Sequence, residues 1–462
     1  MIKIRFIHSL LALIVVVLMF SVIPLASAAE EINVDAPIAL LIEPESGFIL
    51  YEKNAGEKAY PASLTKITTA LIAIEAIEAG ELSLDDVVTA SDNFDFDMVP
   101  DGSSQNIKHG EQMTVRDLLY CIMVASANDA CNIIAQEISG DVDSFVQRMN
   151  DRVAELGCSG THYMNTHGLP DDDHYTTARD VSIIAREAFK HQLFDEIVST
   201  CAYTTMETNM SPSRQLSSTN MLISHNLDGA YYYEYCRGGK TGFTSKAGHC
   251  LVSLSEKNQI QLLCVVMGAE EEQLTEELIG AKSFSQSRAL FEWAYANFSM
   301  RTVVSTTDMI AEAPVLNGED ADYVVLHTDS DLVALLDNDL DLNSIERVIK
   351  LDTDANLTAP IERGQHVGTV EFLYDGKSLG SLNLVTLSAV AGKSSIIIEP
   401  SPSLEASGTA KHAKSGFTLL KILIVVIIVL IVGYLLLLIN YTVKRKRYKK
   451  RKAEAAKRIR KE

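Results

Sequence analysis

Pro61-Ala62-Ser63-Leu64-Thr65-Lys66 opens an apolar helical run and sets a hydroxyl and an amine three residues apart. Leu64, Ile67, Leu71, Ile74 and Ile77 recur at helical spacing until Gly80, which predicts a helix over residues 63–79. Positions i and i+3 lie on one helix face one turn apart, so Ser63 and Lys66 can meet as nucleophile and base. Ser63 also falls near the first turn, where free backbone N–H groups and the helix dipole favour an anion. An N-cap serine beside a solvated lysine would give the same pattern, so the pair needs companions elsewhere in the chain.

Upstream, residues 37–43 and 48–52 are apolar runs separated by Pro44-Glu45-Ser46-Gly47, two strands joined by a turn. Downstream, residues 82–110 hold short strand-like pieces and a polar loop without a motif. Thr114-Val115-Arg116-Asp117 then starts a helix that runs into Ala125-Ser126-Ala127-Asn128-Asp129. Ser126 and Asn128, two apart, share a direction only if the backbone leaves helical geometry, as a loop between two helices allows. Residues 143–156 and 177–190 read as helices. Between them, His162, His167 and His174 lie in a Gly/Pro/Asp-rich loop with no helical histidine pair, a poor metal site.

Arg237-Gly238-Gly239-Lys240-Thr241-Gly242-Phe243-Thr244 leads into two strands, 247–254 and 259–267, joined at 255–258. Its glycines let the backbone approach another body closely. Residues 288–298 read as a helix bearing Trp293, the one tryptophan. Beyond residue 300 short Val/Leu/Ile-rich strands at 323–326, 346–351, 368–374 and 381–387, with an Asp375-Gly376 turn, predict a separate all-β domain.

The two ends bear on location. Residues 1–28 carry Lys3 and Arg5, an apolar core and Ala26-Ser27-Ala28, the pattern of a cleaved secretory signal. Residues 417–439 are apolar except for Lys421, long enough to span a bilayer of roughly 30 Å. The basic run from Lys444 to Lys452 stays cytoplasmic by the positive-inside rule. A single-pass protein of the cell membrane with its catalytic part on the extracytoplasmic side is therefore expected. The chain carries a net charge of −21; its basic ends hold +15, which leaves −36 on residues 29–410. Such an acidic body repels anionic polymers and argues against binding nucleic acid. Seven cysteines without a C-x-x-C pair signal neither a zinc site nor a full disulfide framework, and most read as buried thiols.

Ser63-x-x-Lys66, Ser126-x-Asn128 and Lys240-Thr241-Gly242 stand in one order, and together they are similar to the S-x-x-K, S-D-N and K-T-G signature of penicillin-binding proteins and class A β-lactamases. With Ala127 in the middle of the second motif and Phe243-Thr244 after the third, the chain resembles the low-molecular-mass penicillin-binding proteins that are serine-type D-alanyl-D-alanine carboxypeptidases. His167-Gly168-Leu169 and Thr177-Ala178-Arg179-Asp180 fit the same family, and residues 360–387 resemble its small β domain. The resemblance implies an α/β sandwich, an antiparallel five-stranded sheet with helices on both faces, on a β-rich stalk. The expected division is a signal at 1–28, a catalytic domain at 29–298, a β domain at 299–398, a linker at 399–416, a transmembrane helix at 417–439 and a tail at 440–462.

The resemblance also implies roles. Ser63 is the nucleophile, Lys66 its base, and Ser126 a proton relay toward the leaving amine. Lys66 can serve as base only with a pKa depressed by burial and a nearby cation, which Lys240 would supply. Asn128 holds Lys66 and the substrate backbone, Lys240 and Thr241 bind the terminal carboxylate, and Gly242, Phe243 and Thr244 complete the substrate-binding strand. The backbone N–H groups of Ser63 and Phe243 form the oxyanion hole. No cofactor or metal is implied. The expected partners are peptidoglycan pentapeptide stems, β-lactams acylating Ser63, and the bilayer. In several relatives a basic residue just ahead of the Trp-containing helix helps bind the carboxylate; here Lys282-Ser283-Phe284 stands there without a certain match, and Arg288 is a possible substitute. A class A β-lactamase needs a glutamate after the Ser-x-Asn element, and none lies between Leu156 and Arg186. The other rival is a tethered wall-binding protein whose cleft only holds stems.

Overall fold

The computed structural model describes residues 32–393 apart from 227–228, 276–277 and 353–356. The expected signal (1–28), linker (399–416), membrane helix (417–439) and basic tail (440–462) lie outside those residues. Among the described residues no helix is long and apolar enough to cross a membrane.

The N-terminal portion runs β1 (Ile38–Ile42), β2 (Ile49–Lys53), α1 (Thr65–Glu78), β3 (Val87–Thr89), β4 (Gln112–Thr114), α2 (Val115–Met123), α3 (Asn128–Ser139), α4 (Val142–Glu155), α5 (Ala178–Ala188) and α6 (Gln192–Val198). It continues through β5 (Ala202–Thr204), β6 (Gln215–Ser217), β7 (Cys236–Thr244), β8 (Gly248–Lys257), β9 (Ile260–Ala269), β10 (Glu271–Gln273), β11 (Ile279–Ala281) and α7 (Lys282–Asn297). Five strands form an antiparallel sheet in the order β2-β1-β9-β8-β7. Alternating side chains divide the core between its faces. Leu40, Ile42, Val252, Leu254, Leu263 and Val265 pack with the residues of α1 to α5. Leu41, Leu251, Leu262 and Val266 pack with Leu290 and Phe291 of α7. Burying each such side chain is worth roughly 1.5–3 kcal/mol.

Helix α1 is apolar on nearly every side and is buried from Thr65 to Ile74, so it runs through the core instead of along its surface. Two of its neighbours, α2 and α5, start on side-chain caps: Thr114 Oγ1 accepts from Asp117 N at 3.1 Å, and Thr177 Oγ1 from Asp180 N at 3.1 Å. Two expectations need correction. Helix α7 begins at Lys282, six residues before the predicted 288, because Phe284 already packs on the sheet while the serines around it mask the period. The β8–β9 turn is only Asn258-Gln259, with φ of 53° and 67°, so the ladder continues to the Lys257↔Ile260 pair.

The C-terminal portion is all β: β12 (Phe298–Val304), β13 (Ala311–Leu316), β14 (Tyr323–Thr328), β15 (Leu332–Asp337), β16 (Glu346–Leu351), β17 (Leu357–Thr358), β18 (His366–Tyr374) and β19 (Lys377–Thr386). Six strands order as β16-β18-β19-β14-β13-β17, and β12 pairs with β15. Val304, Val324, Leu326, Val370, Phe372 and Leu384 give this portion a core of its own. The β18–β19 turn is Asp375-Gly376, both at positive φ, as the sequence predicts. All seven cysteines are free; five are buried, Cys236 is intermediate and Cys201 is exposed.

Candidate active site

Ser63 sits in a 3-10 turn, Ala62–Leu64, immediately ahead of α1. The turn is entered through Ala62 at φ 47°, an uncommon conformation for a residue with a side chain. Two glycines make room for it. A Cβ on Gly168 (φ +94°) would lie 1.8 Å from Ala62 O, and one on Gly242 would lie 3.0 Å from Ser63 N. The Gly168 loop and the end of β7 therefore flank the serine with bare backbone.

Lys66 follows one turn later and is fully buried. Its Nζ lies 3.0 Å from Ser63 Oγ, 2.7 Å from Asn128 Oδ1 and 2.7 Å from His167 O. Burial pulls its pKa from 10.5 to about 8, against the opposing pull of Cys131 and Asp129. That shift amounts to roughly 3 kcal/mol against the charged form. Lys240 is also buried; its Nζ donates to Ser126 Oγ at 2.9 Å and to Thr241 O at 2.9 Å. Burial first, and then the charge of Lys66, hold Lys240 well below the usual lysine range. The expected contribution of Lys240 to the lowering of Lys66 is not found: desolvation lowers Lys66, and the charge effect runs the other way, from Lys66 onto Lys240.

Ser126 has φ 61° and so separates α2 from α3. This break lets Ser126 reach Lys240 while Asn128, the first residue of α3, reaches Lys66. The turn is tied from outside: Asn128 N donates to Ser103 O at 2.8 Å, and Ser103 Oγ to Ala125 O at 3.1 Å. Asp129, 2% exposed at the start of α3, accepts from Ser104 Oγ at 2.6 Å and from the backbone of Gln105 and Ile107. The loop read as carrying no motif is thus part of the site wall.

An open cleft is lined by Ser63, Ser126, Thr241, Gly242 and Phe243, with Lys66 and Lys240 buried behind it. Thr244 is not on its lining; its hydroxyl accepts from Ala247 N and closes the β7–β8 turn. Sequence reasoning missed Asp101, Ser103, Thr219, His249 and Glu271, which also line the cleft. Thr219 Oγ1 lies 2.6 Å from Thr241 Oγ1, and the His249 ring stacks on Phe243 at 4.4 Å. Neither Lys282 nor Arg288, the two basic residues near the start of the Trp-containing helix, lines the cleft. Lys282 pairs with Glu270 at 3.3 Å and Asp35 at 3.7 Å, and Arg288 lies over the Tyr233 ring. The three loop histidines each have separate partners: His162 the Asp173 carbonyl, His167 the Asp97 carboxylate, and His174 the Thr65 hydroxyl.

A hydroxyl at hydrogen-bond distance from a desolvated amine, opposite a second lysine–serine pair, is equipped for acyl transfer through a covalent intermediate. Comparison with known proteins points the same way. Residues 25–271 match the family described as D-alanyl-D-alanine carboxypeptidase, and residues 298–391 match the penicillin-binding protein 5, C-terminal domain. The chain is 31% identical over 350 residues to D-alanyl-D-alanine carboxypeptidase DacF of Bacillus subtilis (strain 168), covering 76% of this chain and 84% of that one. It is 30% identical over 379 residues to D-alanyl-D-alanine carboxypeptidase DacC of Escherichia coli (strain K12), covering 80% and 89%. Among solved structures, penicillin binding protein 5 from Haemophilus influenzae superposes with a TM-score of 0.60 at 29% identity, over 79% of this chain and all of that one.

Proposed function

This chain belongs to the D-alanyl-D-alanine carboxypeptidase family and is a serine-type peptidase, and from that premise we propose that it removes the terminal D-alanine of peptidoglycan pentapeptide stems through an acyl-enzyme on Ser63. The observation that carries this reading is the buried Lys66 amine 3.0 Å from the Ser63 hydroxyl. Ser63 Oγ attacks the carbonyl of the penultimate D-alanine as its proton passes to Lys66 Nζ. The backbone N–H groups of Ser63 and Phe243 stabilise the oxyanion. Collapse breaks the peptide bond, and Ser126, hydrogen-bonded to Lys240, relays a proton to the departing amine. Water then attacks the ester and regenerates the Ser63 hydroxyl. Lys240 and Thr241 bind the substrate's terminal carboxylate, and β-lactams acylate the same serine.

To test this reading, the full chain is incubated with a pentapeptide stem and, separately, with a fluorescent penicillin. Release of D-alanine together with a stable adduct mapped to Ser63 is the expected result. Rapid turnover of the adduct would mark a β-lactamase, and neither product from folded protein would leave a stem-binding role.

The base assignment carries a pH prediction. Neutral Lys66 is the active form, and its pKa is near 8. Acylation by the fluorescent penicillin should rise roughly tenfold per pH unit from pH 6 and level off above about pH 8. A rate that falls across that range would exclude Lys66 as the base.

We place the catalytic part outside the cell, exported by residues 1–28 and anchored by residues 417–439, as the apolar and basic patterns of the two ends support. Deleting residues 417–462 should move the protein from the membrane fraction to the soluble extracytoplasmic fraction. Retention in the membrane fraction would place the anchor elsewhere.

A further inference from the structure

Behind Lys66, the loop between β3 and β4 contributes a carboxylate that the reaction scheme does not use. Asp97 Oδ2 lies 2.9 Å from His167 Nε2, and Asp97 Oδ1 accepts from Asn132 Nδ2 at 2.8 Å. The His167 side chain is 1% exposed and the Asp97 side chain 25%. His167 Nδ1 accepts from Leu169 N at 3.3 Å, which puts the ring hydrogen on Nε2, facing Asp97. Both ring nitrogens are therefore engaged, and the ring orientation is fixed from two sides. Asn132 is itself held by Thr166 Oγ1 at 2.6 Å, and Thr69 of α1 donates to Thr166 O at 2.6 Å.

The backbone oxygen of the same His167 accepts from Lys66 Nζ at 2.7 Å. A neutral lysine amine has two N–H bonds and one lone pair. Asn128 Oδ1 and His167 O can take the two N–H bonds, which leaves the lone pair toward Ser63 Oγ. With one acceptor displaced, the amine is free to rotate and the lone pair loses its aim.

We propose that Asp97, acting through His167, is a positioning residue that aims the Lys66 lone pair at the Ser63 hydroxyl. Asp97 gains and loses no proton in the cycle; the Ser63 proton still goes to Lys66. The inference rests on the reading of Lys66 as the base of Ser63.

The test measures D-alanine release from a pentapeptide by the full chain, comparing wild type with Asp97→Asn, Asp97→Ala and Ser63→Ala, each corrected for folded fraction. A single amide oxygen cannot replace both carboxylate oxygens, so Asp97→Asn should lower kcat by roughly tenfold and Asp97→Ala by 10- to 100-fold, with KM within about twofold of wild type. A brace that acts only on stability would lower the melting temperature and leave kcat per folded molecule unchanged, and that result overturns the inference. A rise in KM at constant kcat also overturns it, in favour of a substrate-binding role for the loop that carries Asp101 and Ser103. Should Asp97→Ala fail to fold, Asp97→Asn, which keeps the side-chain volume, decides between the same outcomes. If Ser63→Ala retains turnover, the reading of the site falls and takes this inference with it; inactive Ser63→Ala beside unaffected Asp97 variants overturns this inference alone.

Discussion

Ser63→Ala is expected to abolish D-alanine release and covalent penicillin labelling together, with a loss in kcat of roughly 10³- to 10⁶-fold. The reason is chemical. The variant keeps the cleft, Lys240 and the Gly242-Phe243 edge, but offers no atom to form the ester that the scheme requires. Ser63 is only partly buried, and its side chain meets Lys66 at 3.0 Å, so its removal leaves the core unchanged. The melting temperature should stay within a few degrees of wild type, which separates chemical loss from unfolding. D-alanine release is measured alongside denaturing gels of the penicillin-treated protein. A Ser63→Ala protein that still releases D-alanine at more than about a hundredth of the wild-type rate would require another nucleophile.

Gly168→Ala is expected to give the largest loss of stability among single-methyl additions near the site. At φ +94° an alanine is strained, and its Cβ would fall 1.8 Å from Ala62 O and 2.9 Å from Thr65 Oγ1. Two backbone segments would have to separate, at a cost of roughly 2–5 kcal/mol from strain and overpacking together. For a domain of this size that lowers the melting temperature by roughly 5–15 °C. The displaced segment is the Ala62–Leu64 turn that bears Ser63, so acylation of the remaining folded protein should fall as well. Calorimetry and penicillin labelling on one preparation measure both effects. A variant with wild-type melting and labelling would mean that the Gly168 loop yields without moving the serine. By contrast, a Cβ at Gly80 or Gly140 meets nothing within 4 Å, so alanine there strains only the local backbone.

The parts legible in the sequence are those with local causes. Apolar runs bounded by turn residues mark the central strands at 38–42, 248–257 and 260–269, and the Thr114-Val115-Arg116-Asp117 capping pattern marks a helix start. The Ser63–Lys66 contact was legible because a helical turn brings those two positions together whatever surrounds it. Ser126 and Asn128 required a break between two helices, and the positive φ of Ser126 supplies it. Where polar residues interrupt an apolar period the reading was less accurate: the serines at 283, 285 and 287 concealed the first turns of α7. The motif groups Thr244 with the substrate-binding strand, whereas its hydroxyl accepts from Ala247 N in the turn that follows.

Residue type and local spacing set out the chemistry: a hydroxyl beside an amine, a second serine and an asparagine on a broken helix, and a lysine on a glycine-lined strand. These follow from residue type and short spacing, because backbone geometry alone brings near neighbours into reach. Tertiary structure decided what those groups can do. Lys66 titrates near 8 because the surrounding core strips it of water, a property of packing and not of any neighbouring residue in the chain. The Ser126–Lys240 contact joins residues 114 positions apart, and the Asp97–His167 contact joins residues 70 apart. No periodicity encodes such pairs; they exist only once the sheet and the buried helix bring distant segments into one wall.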